Sequence, residues 1–403
     1  MKKVWPKQLA GTKKMQNKQG KMKICFVASV DMTLKFILLS QMKYFSRKGY
    51  DVTAVCSDGK WVEGIRKQGI KIKTIEIKRK ISPLSDLVSL FNLVRYFRKE
   101  KFDIICTHTP KAGLLGQLAS KISGVPITAN TIFGFYFNES TPYLKRKFFV
   151  AIEKIAGKCS DIIFFRNKED FETAKKEGIG KRALRVYTGD GIDIERFNKN
   201  KFPEGFVENN KRELEIAPGK IVVGIVARLV REKGYLELFK AFKEVVEKFP
   251  NAVLIIVGGT DFDKKDKIDP SIIKDFGIQN NVLYLGERTD VDELYAIMDI
   301  FVLPSWREGF SHSIMEATAM SLPVIASDIR GCRGAVDNKE TGLLISPKNY
   351  QELSRALCYL ISNPKVLKEM GGKARQKAEK EFDERIFFNK IDEEFLRLSQ
   401  KKI

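Results

Sequence analysis

The first half of the chain repeats a single hydrophobic pattern. Short apolar runs, KICFVAS (23–29), DVTAVCS (51–57), DIICTH (103–108), VPITANT (125–131) and DIIFFRN (161–167), alternate with helix-length segments. Runs this short and this uniformly apolar suit strands buried on both faces. Their alternation with helices predicts βαβ units and a parallel sheet covered on both sides. The second half shows the same rhythm. IVVGIVA (221–227) and LIIVGG (254–259) read as strands, and VLYLGERTDVDELYAIMDIFVLPS (282–305) reads as strand, helix and strand. FVLPSWREGFSHSIMEATAMSLPVIAS (301–327) then gives a buried strand, a polar loop, an amphipathic helix and another buried strand. Between the halves, residues 201–219 form a polar stretch holding Pro203, Gly205, Pro218 and Gly219. A chain of 403 residues accommodates two domains, each with its own core. The segment DERIFFNKIDEEFLRL (383–398) has helical periodicity.

Candidate chemistry collects where the second-half strands end. Glu308 is expected at the end of one strand and Glu316 lies eight residues later, inside the helix. Gly309, Ser311 and Ser313 mark the helix start, where backbone N–H groups are left for a ligand. Free amides and the positive end of the helix dipole suit an anion, and two carboxylates accept bonds from hydroxyls. A ligand with both phosphates and sugar hydroxyls fits. Upstream, Arg228 stands at the end of the 221–227 strand and Lys233-Gly234 opens the next helix. Ligands of open α/β sheets gather beyond the carboxyl ends of strands, so both cations are placed to meet a diphosphate.

The Glu308–Glu316 spacing, flanked by LPS, GF and EA, resembles the E-x7-E signature of retaining GT-B glycosyltransferases of family four. The likeness runs over roughly residues 22–398. It implies an α/β GT-B fold: two Rossmann-like domains whose parallel sheets face each other across a cleft, with a C-terminal helix crossing back to the first. The expected division is a basic extension (1–21), an acceptor-binding domain (22–195), a donor-binding domain (196–382) and the crossover helix (383–403). GDGIDIERF (189–197) resembles the hinge between them.

The resemblance also implies roles. Arg228 and Lys233 neutralise the donor pyrophosphate, and Glu316 binds the ribose. Glu308 meets the transferred sugar beside the amides of Gly309, Phe310 and Ser311. The 286–289 turn, with Arg288, passes the donor base through backbone contacts. The HTPKAG segment makes His108 a candidate catalytic residue at the cleft, and His312 a shaper of the sugar pocket. Two departures stand out. Phe133 fills a place where many relatives have histidine, which predicts a more apolar acceptor pocket. Gly334 stands where many have glutamate, which predicts a changed detail of the donor pocket.

Charge adds a separate clue. Residues 1–200 hold 40 Lys and Arg against 18 Asp and Glu, whereas residues 201–403 hold 32 of each, so the whole net charge of +22 belongs to the first half. No recognised nucleic-acid motif accompanies it. Basic and large apolar residues mix at 91–101 and 143–158, a composition that suits helices lying on an anionic membrane surface. A solvated lysine-rich face would show the same excess. No apolar run reaches the roughly 18–20 residues that span a bilayer, and the basic N-terminus lacks a signal-peptide core. The six cysteines are scattered without ligand spacing and read as reduced core residues. No D-x-D triad or histidine–carboxylate cluster calls for a metal, and no cofactor is expected.

These readings point to transfer of a sugar from a nucleotide diphosphate-sugar (UDP- or GDP-sugar) to a lipid-linked glycan, with retention of configuration. The place of action would be the cytoplasmic face of the plasma membrane, in surface polysaccharide assembly. The alternatives are a sugar-nucleotide epimerase of the same architecture and a nucleic-acid-binding protein with a degenerate nucleotide fold. The first would need acid/base carboxylates around a single sugar. The second would explain the charge but not Glu308 and Glu316.

Overall fold

The computed structural model describes residues 21–80, 82–138, 141–260 and 266–402. Apart from Lys21, the basic extension expected at 1–21 lies outside them. Seven parallel strands form the first sheet: β1 (Lys23–Val27), β2 (Asp51–Cys56), β3 (Lys71–Thr74), β4 (Ile104–His108), β5 (Ile127–Ile132), β6 (Ile162–Phe165) and β7 (Leu184–Tyr187). Six more form the second: β8 (Ile221–Val226), β9 (Ala252–Val257), β10 (Val282–Gly286), β11 (Ile300–Leu303), β12 (Val324–Ser327) and β13 (Gly342–Ile345). The spatial orders are β3-β2-β1-β4-β5-β6-β7 and β10-β9-β8-β11-β12-β13. Both sheets are therefore wound outward in two directions from a central pair. Each has a crevice at its switch point, between β1 and β4 and between β8 and β11, where the loops diverge and a ligand can enter.

The apolar runs form the expected central strands because β4, β5 and β6 are buried along their whole length. The edge strands β3 and β7 escaped the sequence reading. Both are only half covered, β3 is the polar segment KIKT, and an edge strand needs no continuous apolar run.

The chain passes between the sheets at two places that touch each other. Ile192 N–H donates to Phe382 O at 2.8 Å, and Glu384 N–H donates to Ile192 O at 3.0 Å. The last helix, Glu384–Lys402, then returns to the first sheet and buries Phe387, Phe388, Ile391 and Phe395 in its core. Tyr50 and Asp392 fasten it with a 2.7 Å hydrogen bond. All six cysteines are free, four of them buried.

The basic–apolar helices need a correction in register. Within 91–101, Leu93 and Phe97 are buried in the core, so much of that segment's apolar surface faces inward. The exposed apolar stripe of the helix Pro83–Glu100 lies earlier, at Leu84, Leu87, Val88 and Phe91. In the helix Tyr143–Gly157, Val150 and Ala156 face the core while Tyr143, Leu144, Phe148 and Ile155 are exposed. Among the described residues no helix is long and apolar enough to cross a membrane.

Candidate functional site

The loops leaving β8 and β11 meet over the switch point of the second sheet. The backbone N–H of Trp306 donates to Glu232 O at 2.8 Å, tying the two loops together. Beside that link, Lys233 Nζ donates to Glu308 Oε1 at 2.6 Å, with both side chains largely shielded from solvent. Arg228 belongs to the same loop, its guanidinium 3.8 Å from Glu232. β11 ends at Leu303, so Glu308 stands five residues into the loop and not at the strand end as expected. The displacement carries its carboxylate out of the sheet and onto the cation of the neighbouring loop.

Downstream, Ser311 caps the helix His312–Ala319, its hydroxyl accepting from Ile314 N–H at 3.4 Å. Glu316, inside that helix, accepts from the Tyr295 hydroxyl at 3.0 Å. Burial raises the Glu316 carboxyl above its ordinary value, against the opposing pull of His312 and Tyr295. Phe310 packs edge-on against Phe382, their ring centroids 6.2 Å apart. A Cβ on Gly334 would stand 2.9 Å from the Phe310 ring, so glycine there makes room for this phenylalanine and a glutamate would displace it. Arg288 is not brought to the Lys233–Glu308 pair. It leaves the far edge strand β10 and is ion-paired with Asp290.

The first sheet closes over this loop by direct backbone approach. A Cβ on Gly134 would lie 2.6 Å from the Cα of Gly309, and one on Gly309 would lie 2.0 Å from Phe133 O. Only glycine at both positions permits such contact. Asn167 Nδ2 donates to Gly309 O at 3.0 Å, and Arg330 pairs with the buried Asp170 at 2.7 Å. Arg333 and Glu169 add a second bridge at 2.8 Å.

Next to these contacts Arg166 and His312 converge on Asp190 Oδ2, at 2.8 and 3.1 Å. Burial would raise the Asp190 carboxyl, but Arg166 and then His312 bring it below the usual carboxylate range. The Arg166 guanidinium also lies 4.1 Å from the centre of the Phe133 ring. Sequence reasoning did not single out Arg166, Asn167, Asp170 or Asp190. The available signal was polar residues directly following a fully apolar strand, in DIIFFRNKED. A groove of about 670 Å³ opens beside this network, bordered by Lys35, Lys43, Arg196, His312, Glu316 and Glu384.

His108 is corrected in placement. It ends β4 as expected, yet it is 0 % exposed and does not face the cleft. Its ring stacks on Phe26 at 5.8 Å and lies against Phe133 at 5.5 Å. Among the described residues neither ring nitrogen has a hydrogen-bond partner. Burial, and secondarily Arg166, holds its pKa well below the ordinary value, so the ring is neutral.

Among the described residues no group of three or more His, Cys, Asp or Glu is placed to hold a metal ion. What the second crevice offers is a shielded cation–carboxylate pair, a second cation in the same loop and a capped helix start.

The family description "Glycosyl transferase 4-like" matches residues 23–167, and "Glycosyl transferases group 1" matches residues 206–377. The chain is 29% identical over 378 residues to the capsular polysaccharide biosynthesis glycosyltransferase CapM of Staphylococcus aureus, covering 91% of this chain and 96% of that protein. It is 27% identical to the Escherichia coli UDP-Gal:alpha-D-GlcNAc-diphosphoundecaprenol alpha-1,3-galactosyltransferase, over 90% of this chain and 94% of that one. In fold it is similar to Anabaena HepE, solved in complex with UDP and glucose, with a TM-score of 0.79 at 22% identity, covering 92% and 98% of the two chains.

Proposed function

We propose that this chain, which belongs to the GT-B glycosyltransferases and joins a glycosyl transferase 4-like half to a group 1 half, moves a sugar from a nucleotide diphosphate-sugar to a lipid-linked glycan, with retention of configuration, in surface polysaccharide assembly. The observation that carries this reading is the Lys233–Glu308 pair at the β8/β11 crevice, with Arg228 held on Glu232 in the same loop. The activities named for the capsular and diphosphoundecaprenol-linked relatives support the acceptor class. The UDP in the HepE complex supports a uridine donor.

In this mechanism Lys233 exchanges its bond to Glu308 for the donor diphosphate, which Arg228 holds from the other side. Glu308, released, accepts bonds from hydroxyls of the transferred sugar beside the amides of Gly309, Phe310 and Ser311. Those contacts strengthen as the sugar carbon gains positive charge, while the two cations stabilise the departing diphosphate. Glu316 accepts from the ribose hydroxyls, and the turn bearing Arg288 lies along the base. The leaving diphosphate takes the proton of the incoming hydroxyl on the same face. His108 acts as a positioning residue, setting Phe133 and through it the approach of Gly134 to Gly309. The proposed domain division follows the expected one, with the acceptor held by residues 22–195 and the donor by 196–382. The chain works peripherally, at the cytoplasmic surface of the membrane that holds its acceptor.

The test begins with thermal unfolding against a panel of nucleotide diphosphates, because a ligand of the folded state raises its stability. Sugar transfer from the matching donor to a polyprenyl-diphosphate glycan follows, with the anomeric configuration of the product read by NMR. An inverted product, or a donor epimerised without transfer, would overturn the proposal.

A further inference from the structure

Glu308 and the residue before it, Arg307, turn to opposite sides of the loop that follows β11. The Glu308 side chain, 9% exposed, points inward to Lys233. The Arg307 side chain, 44% exposed, points out to the mouth of the cleft. Its guanidinium lies 5.1 Å from the centre of the Tyr136 ring, which belongs to the first sheet's loops and is itself exposed. It also reaches Glu232 Oε2, at a long 3.5 Å. Arg307 and Tyr136 thus meet across the cleft, both open to solvent, next to the carboxylate that the proposed mechanism sets on the transferred sugar.

This pair lies on the opposite side of the molecule from the groove that holds Glu316. Strand β6 separates the two sides. Ile162 and Phe164 pack with Phe387 and Phe395 of the last helix, whereas Ile163 and Phe165 pack with Phe135, Phe137 and Val150. The groove bordered by Glu316 and His312 is on the first side, where Phe387 and Phe388 line it. Tyr136 is on the second, its ring 6.1 Å from that of Phe149 in the helix Tyr143–Gly157. A donor with its ribose on Glu316 and its diphosphate on Lys233 therefore extends toward the first side. The mouth between Tyr136 and Arg307 is left to the second substrate.

A guanidinium lying over a ring face keeps its planar fork for an oxyanion, and such a fork binds phosphate through two parallel hydrogen bonds. We propose that Arg307 binds the phosphate joining the acceptor sugar to its lipid, and that Tyr136 is a positioning residue that holds the guanidinium for it. The identity of this ligand rests on the function proposed above. The attacking hydroxyl approaches the sugar held by Glu308, and the far end of the same acceptor ring reaches the neighbouring residue in the loop. The site thereby selects a sugar carried on phosphate over the same sugar carried on a neutral group.

The experiment compares binding of a short-chain prenyl-diphosphate N-acetylglucosamine, the acceptor type named for the Escherichia coli relative, with that of octyl N-acetylglucosaminide. Titration calorimetry is run with UDP saturating, so that Arg228 and Lys233 are occupied. The unaltered chain should prefer the diphosphate. Arg307→Ala should reduce that preference about tenfold or more, with UDP affinity held within about twofold, and Arg307→Lys should recover part of it. Tyr136→Ala should reduce it by about three- to fivefold, and Tyr136→Phe, which keeps the ring face, should restore it. No preference in the unaltered chain, or one that Arg307→Ala leaves intact, overturns the proposal. Equal losses on both acceptors overturn it too, since Arg307 would then contact the sugar. A UDP affinity that falls as far as the preference does the same, by placing Arg307 at the donor. Transfer assays with these acceptors separate this inference from the function proposed above. A chain that binds the diphosphate acceptor through Arg307 but transfers nothing defeats the function alone, and one whose transfer is indifferent to Arg307→Ala defeats this inference alone.

Discussion

The two sheets are wound alike, and their crevices hold opposite kinds of residue. At the β8/β11 crevice the loops pair Lys233 with Glu308 and Arg228 with Glu232. At the β1/β4 crevice the corresponding ends are Ser29, His108 and Thr109. Ser29 and Thr109 bond to each other at 3.0 Å, and His108 is buried. Yet the first half carries the entire net charge of +22. The charge of a domain and the chemistry of its crevice are thus separate properties. Cations on outer helices act on the surroundings through a field that salt screens. A cation held at a switch point acts on one ligand at contact distance.

The contrast breaks most readily at Glu308. Glu308→Gln should lower turnover about 10²–10³-fold with donor affinity nearly unchanged, since its bonds strengthen chiefly in the transition state. Steady-state kinetics with a saturating donor reads this. A comparable loss from Ser29→Ala would mean that the first crevice shares the chemistry. Next in size, Lys233→Ala and Arg228→Ala should each weaken nucleotide diphosphate binding by about 30-fold, the scale of truncating one partner of a shielded charge contact. Titration calorimetry with the nucleotide alone checks it, and unchanged affinity in both variants removes the diphosphate assignment.

Two smaller effects sharpen the other side of the comparison. Burial, with Asp170 adding to it, raises Glu153 in the 143–157 helix to about 7. A carboxyl whose folded pKa lies above its unfolded one favours the folded state while protonated. Its contribution is full below the ordinary value of 4.5 and is lost as pH rises through about 7. The unaltered chain should therefore lose about 1–2 kcal/mol of stability between about pH 5 and 8 that Glu153→Gln does not lose. Denaturation midpoints at the two pH values measure it. Smallest of all, His108→Phe replaces a buried ring whose nitrogens lack partners with an apolar ring between Phe26 and Phe133. Stability should rise by about 1 kcal/mol or less, with turnover intact. A loss of turnover as large as that of Glu308→Gln would return His108 to the chemistry.

The amino-acid sequence by itself determined the two parallel sheets, the helical character of the C-terminal segment and the segment holding Glu308 and Glu316. Buried strands and amphipathic helices write their periodicity into neighbouring residues, and a loop between a strand and a helix is a local feature. The edge strands β3 and β7 were not legible, because half-covered strands leave no continuous apolar run. Tertiary structure alone decided what lies far apart in the chain. Lys233 meets Glu308 across 75 residues and Arg166 meets His312 across 146. Gly134 touches Gly309, and Gly334 leaves space for Phe310. It also decided which faces are covered. Leu93 and Phe97 turn inward, Leu87 and Phe91 outward, and His108 lies beneath the cleft surface. A sequence records which residues prefer burial, but only the packing of helices and loops against each sheet settles which of them obtain it.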